Sequence, residues 1–203
     1  MSLAINPATV VSGTFFDPSA RKPKRPEMNA IYFLAKACLS GNLDDVIKIT
    51  EDKLQAKIVV KNSHFPLLYF ACQSQTSNKV KVVENLLKAG ANPNENLPLG
   101  KYYRILNFII DQEVQKAKNP KENFPFRIKE WETIVEILVK NGAEVNHLGS
   151  GESRTLLEKL CFLGNEKLIS LFVSKGAKGS KDYAAICGAT DAFERAFQGS
   201  QSN

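Results

Sequence analysis

The chain has 203 residues, of which 43% are hydrophobic and 24% are charged. This length and composition are typical of a globular protein with one sizeable core. They argue against a membrane-spanning chain, because no apolar run reaches the roughly 18–20 residues that cross a bilayer. The first residues also lack the basic and apolar regions of a secretory signal. We therefore expect a cytoplasmic protein without membrane insertion.

The positive charge is concentrated near the start of the chain. The formal net charge is +6, and the segment RKPKRP contributes Arg21, Lys22, Lys24 and Arg25 to it. Positive charge confined to one short arm gives little support to the idea that the rest of the protein binds nucleic acid. The sequence thus disfavours nucleic acid as the partner, and binding of nucleic acid through the basic arm is kept as an alternative.

The four cysteines, Cys38, Cys72, Cys161 and Cys187, form no CxxC pair. Neither a zinc site nor a thioredoxin-type redox site is therefore indicated. Reduced thiols of this kind are typical of the cytosol or the nucleus. We expect no metal site and no cofactor.

The predicted elements begin after a proline-containing arm at residues 1–26. Met28–Ser40 is rich in alanine, leucine and aromatic residues, which predicts a helix, and Gly41 and Asn42 break it. Leu43–Glu51 predicts a second short helix, so that the two form a helical hairpin. The residues of this second helix expected to face inward are Val46, Ile47 and Ile49.

Further helix pairs follow along the chain. The pattern of apolar residues predicts that each pair packs through one face. Glycines at positions 90, 142 and 176 are expected to end the second helix of each pair in the left-handed conformation. The predicted helices are at 67–74 and 79–89, at 102–116 and 128–141, and at 155–163 and 166–175, with a last short one at 183–197.

One phrase recurs at the end of these pairs. It reads VENLLKAGANPN at Val83–Asn94 and VEILVKNGAEVN at Val135–Asn146, and a weaker copy, ISLFVSKGAKGS, begins at Ile169. The glycines of the last two copies, Gly142 and Gly176, lie 34 residues apart. A period near 33 with helix–turn–helix content points to a stacked repeat array, in which each unit buries its apolar face against its neighbours.

On these residues the chain resembles the ankyrin-repeat family, whose repeats open on a TPLHxA-type phrase and close on LLxxGAxxN. The closing phrase is LLKAGANPN here, and the opening one survives as PLLYFAC (Pro66–Cys72) and TLLEKLC (Thr155–Cys161). LAKACLSGNLDDV (Leu34–Val46) resembles a first repeat. The resemblance implies an all-α fold, an ankyrin-type solenoid of stacked helix-turn-helix repeats with projecting hairpin loops.

The implied organisation is an arm, a repeat domain at residues 27–198 and a polar tail at 199–203. The second repeat carries about three extra residues around Gln75–Asn78, and the third carries a long insertion around Lys116–Lys129. About four repeats and a C-terminal cap are expected, at approximately 28–60, 61–97, 98–149 and 150–180, with the cap at 181–198.

No catalytic chemistry is indicated by the sequence. Cys38, Cys72 and Cys161 fall at one position of the first helix, where the family has a small buried residue, so that we expect them to have a packing role. The two histidines, His64 and His147, lie in predicted loops. They are too scattered for a Cys–His dyad or a metal cluster.

The resemblance implies that a protein partner binds the concave surface formed by the loops and the solvent side of the first helices. Clustered aromatic and arginine side chains there are typical of binding hot spots. The alternative for Phe70 and Phe162 is sideways packing between neighbouring repeats. The residues expected on this surface are Phe70, Gln73, Ser74, Lys101, Tyr102, Tyr103, Arg104, Lys159, Phe162 and Leu163.

The insertion KNPKENFPFRIKEW (Lys118–Trp131) is a second candidate site, because long loops in compact folds are often functional. Phe124 and Phe126 are candidates for a contact tip. The insertion could equally fold back over the outer helices, with Trp131 buried. An enzyme or a regulatory protein with its site in the 116–130 insertion is therefore the rival hypothesis.

Taken together, these features predict a non-enzymatic, monomeric ankyrin-repeat adaptor or scaffold that binds a protein. The divergent opening phrases and the lysine- and asparagine-rich composition would suit a secreted effector of an intracellular bacterium, acting in the host cytosol or nucleus. A eukaryotic cytosolic adaptor is the alternative.

Overall fold

The computed structural model describes residues 26–47, 57–60, 63–99, 103–120, 130–149 and 153–189, together with residues 191, 194, 195 and 197. This part of the chain is mostly helical, with few strands. The all-α class is thereby confirmed, and the continuous solenoid stays a prediction. The predicted arm at residues 1–26 lies outside the described residues, except for Pro26.

The helices agree with the predicted ones to within a few residues at most of their ends. The predicted last helix, at 183–197, is the exception, because the structure has a helix at Lys181–Ile186 followed by a turn, and residues 191, 194, 195 and 197 are helical again. The helices are α1 (Pro26–Ser40), α2 (Leu43–Ile47), α3 (Leu67–Gln73), α4 (Lys79–Lys88), α5 (Ile105–Lys118), α6 (Trp131–Lys140), α7 (Leu156–Leu163), α8 (Glu166–Ser174) and α9 (Lys181–Ile186).

The strands are short and were not predicted. They are β1 (Lys57–Val60), β2 (Ser63–Pro66), β3 (Asn96–Leu97) and β4 (Tyr103–Arg104). β1 and β2 pair antiparallel, with Lys57 opposite Pro66 and Val60 opposite Ser63. This hairpin leads directly into α3.

The described helices fall into two compact units, the first containing α1 to α4 and the second containing α5 to α9. In the first unit α1 packs on α2 and α3 packs on α4. The first helices of these hairpins, α1 and α3, contact each other, and so do the second helices, α2 and α4. Two helical hairpins therefore lie side by side in this unit.

The second unit repeats this arrangement. Helix α5 packs on α6 and α7 packs on α8. Helix α7 also contacts α5 on one side and α9 on the other, while α8 contacts α6. Apolar residues from all four helices of the two hairpins are fully buried between them, among them Ile109, Ile134, Leu157, Leu160 and Phe172.

The inward positions predicted for α2 are only partly right. Val46 is buried, with 3% of its surface exposed, but Ile47 is 61% exposed. Successive residues of a helix point about 100° apart, so a short helix that buries Val46 turns its neighbour away from the core. Ile49 lies outside the described residues.

The recurring phrase ends its helix in the same way each time. In its second copy Gly142 has a φ of 87°, a conformation that costs a residue with a Cβ about 1–2 kcal/mol. The following amide, of Ala143, then donates to the Leu138 carbonyl at 2.9 Å. The corresponding bonds of the other copies, from Ala91 to Leu86 and from Ala177 to Phe172, are also 2.9 Å. The left-handed stop predicted for these glycines is confirmed.

The last residue of that second copy ties it to the next one. The side-chain amide of Asn146 donates to the Gly176 carbonyl at 2.8 Å. Its side-chain oxygen accepts from the Lys178 backbone amide at 2.7 Å. The loop after α6 is thus bonded, within the second unit, to the loop after α8.

The extra residues around Gln75–Asn78 also have a structural role. The Ser74 hydroxyl donates to the Leu39 carbonyl at 2.9 Å, and the Asn78 side-chain amide donates to the Gly41 carbonyl at 3.2 Å. Both acceptors lie at the C-terminal end of α1, where carbonyls have no partner within the helix. The longer loop of the second hairpin therefore caps the first helix of the chain.

Candidate functional site

A polar cluster joins α5 and α7 in the second unit. The Lys159 ammonium contacts Asp111 Oδ1 at 2.7 Å, and the Tyr103 hydroxyl donates to Asp111 Oδ2 at 2.7 Å. The side chains of Lys159 and Asp111 are only 9% and 21% exposed. One carboxylate therefore holds a strand residue and a residue of the neighbouring helix in fixed positions.

Local sequence explains why these side chains meet. Asn107, Asp111 and Gln115 are spaced four residues apart, which places them in one polar row along α5. At the start of α7, Thr155 and Glu158 form a capping box, with bonds of 3.2 Å and 2.9 Å between side chains and backbone amides. The cap defines where α7 begins and hence which of its residues face α5.

A second set of contacts holds the loop between α6 and α7. Arg104 Nη1 lies 2.7 Å from Glu144 Oε2. The Asn107 side-chain amide, fully buried, donates to the His147 carbonyl at 3.2 Å. The next residue, Leu148, is 46% exposed. The loop thus presents an apolar side chain next to a backbone carbonyl that Asn107 holds, while the Glu144 side chain of the same loop is paired with Arg104.

An aromatic residue lies beside the polar cluster on α7. Phe162 follows Lys159 by three residues and Leu163 follows it by four, so all three lie on one side of the helix. Phe162 is 36% exposed and Leu163 is half-buried. We call the surface formed by Tyr103, Asp111, Lys159, Phe162 and Leu163 the α5–α7 face.

Five of the predicted partner-binding residues belong to or adjoin this face. They are Tyr103, Arg104, Lys159, Phe162 and Leu163. Lys159 is more enclosed than expected, because it is paired with Asp111 and only 8% of the residue is exposed. Tyr103 and Arg104 are half-buried and likewise engaged with carboxylates.

The exposed position predicted for Phe70, Gln73 and Ser74 is wrong. Their exposed fractions are 2%, 3% and 1%. The Phe70 ring lies 5.4 Å from that of Tyr69 and 6.2 Å from that of Phe65. Phe70 is therefore a packing residue, because the unpredicted strand β2 brings Phe65 against α3. These ring contacts lie within residues 61–97 and do not test the sideways packing between neighbouring repeats that was its alternative.

The remaining predicted residues, Lys101, Tyr102, Phe124 and Phe126, lie outside the described residues. Of the 116–130 insertion the structure describes residues 116–120 and 130. Trp131 begins α6 and is half-buried.

Three residues of this region were missed by sequence reasoning. Asp111 and Asn107 interrupt an apolar stretch of α5 at a four-residue spacing. This pattern could have predicted that both side chains lie on the same face of the helix. Leu148 follows the repeated phrase in a loop, and no sequence pattern distinguishes an exposed leucine there from a buried one.

The cysteines within the helices are shielded from reaction. Cys38, Cys72 and Cys161 are buried, as predicted for a packing role. Burial raises the pKa of the Cys38 and Cys72 thiols to about 12 and that of Cys161 to about 11. The thiolate is the nucleophile, so these three groups are poorly suited to covalent catalysis. Across the described ranges, no cluster of three His, Cys, Asp or Glu side chains could hold a metal ion.

These pKa shifts predict an uneven thiol reactivity. In the native protein at pH 8 we expect one thiol, Cys187, to react rapidly with a disulfide reagent, because it alone among the four is half-exposed. The other three should react at least about a hundredfold more slowly, since each combines burial with a small thiolate fraction. Absorbance of the released thiol gives the count. Rapid reaction of a Cys187→Ser variant would contradict the prediction, and unfolding in denaturant should release all the thiols.

Comparison with known proteins yields no family assignment. No protein-family model matches the chain, and no curated protein matches it significantly. Among the described helices, none is both long enough and apolar enough to cross a bilayer. The resemblance to ankyrin repeats therefore stands on the recurring phrases of the chain itself.

Proposed function

We propose that this chain is a non-enzymatic protein-binding module of the ankyrin-repeat type, and that a protein partner binds the α5–α7 face. The observation that supports this most directly is Phe162, an aromatic side chain 36% exposed on a helix surface. An exposed aromatic residue bordered by polar groups is the usual composition of a binding hot spot.

The polar groups of this face support binding better than catalysis. Asp111 accepts from Tyr103 and contacts Lys159, and Arg104 contacts Glu144. Each of these charges already has an opposite charge or a donor beside it. Such groups orient a surface and exclude alternative partners, whereas a general base is placed within reach of a substrate proton.

The face is also held rigidly before any partner arrives. The Asp111–Lys159 contact and the Asn107–His147 bond connect α5 with α7 and with the loop between α6 and α7. A surface that is fixed in advance loses little conformational entropy when it binds. A module that holds a partner by complementarity benefits from such fixation.

The proposal is tested by placing a charge on the exposed ring. A Phe162→Glu variant should bind the partner at least about thirtyfold more weakly, because a hot-spot residue contributes about 2 kcal/mol or more. The partner is first captured from lysate with the wild-type chain and is then purified. Its dissociation constant is measured by calorimetry for each variant.

The matched control is Ser170→Glu, which adds the same charge at an exposed position of α8. This variant should bind the partner as the wild type does. Equal affinity of the wild type and the Phe162→Glu chain would rule out the α5–α7 face as the binding surface. Thermal unfolding of both variants verifies that they are folded.

A further inference from the structure

Three lysines follow α8 in a short segment of the second unit. Lys175, Lys178 and Lys181 are all exposed. Within the part of the chain that the structure describes, none of the three takes part in an ion pair. We call these three residues the lysine strip.

The strip differs from other lysines of the same unit. Lys140 and Lys167 both contact Glu136, at 2.7 Å and 2.6 Å. Hydrogen bonds from these two ammonium groups lower the pKa of the Glu136 carboxyl to about 2. Lys159 is paired with Asp111. The positive charge on α6 and α8 is therefore partly neutralised by ion pairs with Glu136. The charge of the lysine strip is not neutralised in this way.

The backbone that carries the strip is held in place. The Asn146 side chain bonds the Gly176 carbonyl and the Lys178 amide, at 2.8 Å and 2.7 Å. Ala177 is 5% exposed and packs into the core. The Ser180 amide donates to Glu158 Oε1 at 3.2 Å. The segment is thus bonded near its start to the loop after α6 and near its end to α7.

Backbone packing adds a further restraint between these bonds. A Cβ atom placed on Gly179 would lie 3.1 Å from Leu157 Cδ2, which is closer than ordinary van der Waals contact. The chain therefore runs against α7 at this point. The three ammonium groups extend from a fixed segment. The entropic cost for one ligand to contact all three is therefore lower than for a mobile segment.

We propose that the lysine strip binds an acidic segment of a protein partner. This inference rests on the proposed function and names the chemistry of one part of the partner. Unpaired cations on a rigid segment attract carboxylates, steer their approach and fix the register of the complex. The aromatic contact at Phe162 and the strip are separate contributions, since different residues carry them.

The surroundings favour carboxylates of a protein over a nucleic acid. The guanidinium of Arg154 lies 4.9 Å from the centre of the Tyr183 ring, so that this ring face is taken and cannot stack on a base. Nucleic-acid surfaces usually combine cations with free aromatic faces.

Binding is tested by site-resolved titration of the full chain. A twelve-residue glutamate-rich peptide is added to the ¹⁵N-labelled protein at low salt, and backbone amide shifts are followed by NMR. The amides of residues 175–181 should move in a saturable way. The resolution by residue is necessary because Arg21 to Arg25 also form a cationic segment.

Two triple variants of equal charge make the test specific. Changing Lys175, Lys178 and Lys181 to glutamine should weaken the peptide about tenfold at this site, because each exposed ion pair contributes a small factor. The control changes the equally exposed Lys118, Lys140 and Lys167 to glutamine. It removes the same charge and should leave affinity within about twofold.

Three outcomes would overturn the proposal. The first is the absence of shifts at residues 175–181, and the second is an equal loss of peptide affinity in both triple variants. The third is that a single-stranded oligonucleotide or an anionic lipid vesicle binds the lysine strip more tightly than the peptide does. None of them affects binding at Phe162, which is measured with the captured partner. Failure of the strip and failure of the proposed function are therefore distinguishable.

Discussion

An Asp111→Ala variant is expected to unfold with a free energy about 3 kcal/mol lower than that of the wild type. The substitution removes the carboxylate facing the Lys159 ammonium, whose side chain is only 9% exposed. Breaking a buried pair from one side is costly, because the remaining charge stays in a poorly hydrated position. Loss of the Tyr103 hydrogen bond to the same carboxylate adds to the effect. Urea denaturation followed by circular dichroism measures the difference.

The partner substitution is the informative control. Lys159→Met keeps an unbranched apolar stem in the same place and removes the buried charge, so its cost should be about 1 kcal/mol or less. Asp111 remains more accessible to water than Lys159, at 21% exposure. The double variant should then be more stable than the sum of the single losses predicts. Equal losses for the two single variants would contradict this explanation, in which the larger loss of Asp111→Ala comes from the Lys159 charge that stays buried without a partner.

A Gly41→Ala variant is expected to lose about 2–3 kcal/mol, for two reasons that act together. Gly41 has a φ of 65°, which is unfavourable for alanine. A Cβ atom at this position would also lie 2.1 Å from Thr76 Oγ1 and 3.0 Å from Thr76 Cβ. The loop that caps α1 would have to move away, and its bonds to the Leu39 and Gly41 carbonyls would weaken.

Gly164 separates these two causes. Its φ is 66°, nearly the same as that of Gly41, and a Cβ atom there would meet nothing within 4 Å. Gly164→Ala should therefore cost only the conformational part, about 1 kcal/mol. Thermal and urea unfolding of the two variants give the comparison directly. If both substitutions lower the free energy of unfolding by the same amount, the contact between the Ser74–Asn78 loop and α1 does not contribute to stability.

The helices could be predicted because their signals are local. The apolar spacing in α4, α6 and α8 and the glycines at 90, 142 and 176 report on residues within one or two turns. The same holds for the cysteines, since a small residue at a helix crossing has a repeating position. The all-α class follows from such local features alone.

What could not be predicted depends on pairs of residues far apart in sequence. The burial of Phe70 follows from Phe65 on a strand that the helical pattern concealed. Lys159 was predicted to lie on the binding surface from the pattern of its own helix. Its enclosure by Asp111 arises only when α5 and α7 pack together. The extra residues after Ser74 looked like a simple length change, and their role depends on where the end of α1 lies.

The bonds made by Asn146 run from one copy of the recurring phrase to the next one in the chain. The Asn146 side chain bonds to groups of the next copy, Gly176 and Lys178. A fragment that ended after Asn146 would therefore lack both hydrogen-bond partners of this side chain. In the third copy the equivalent position is Ser180, whose hydroxyl accepts from the Tyr183 amide at 3.3 Å and begins α9 instead. Within the second unit, the same position of the phrase therefore has two roles: Asn146 bonds one copy to the next, whereas Ser180 starts the helix that follows its own copy.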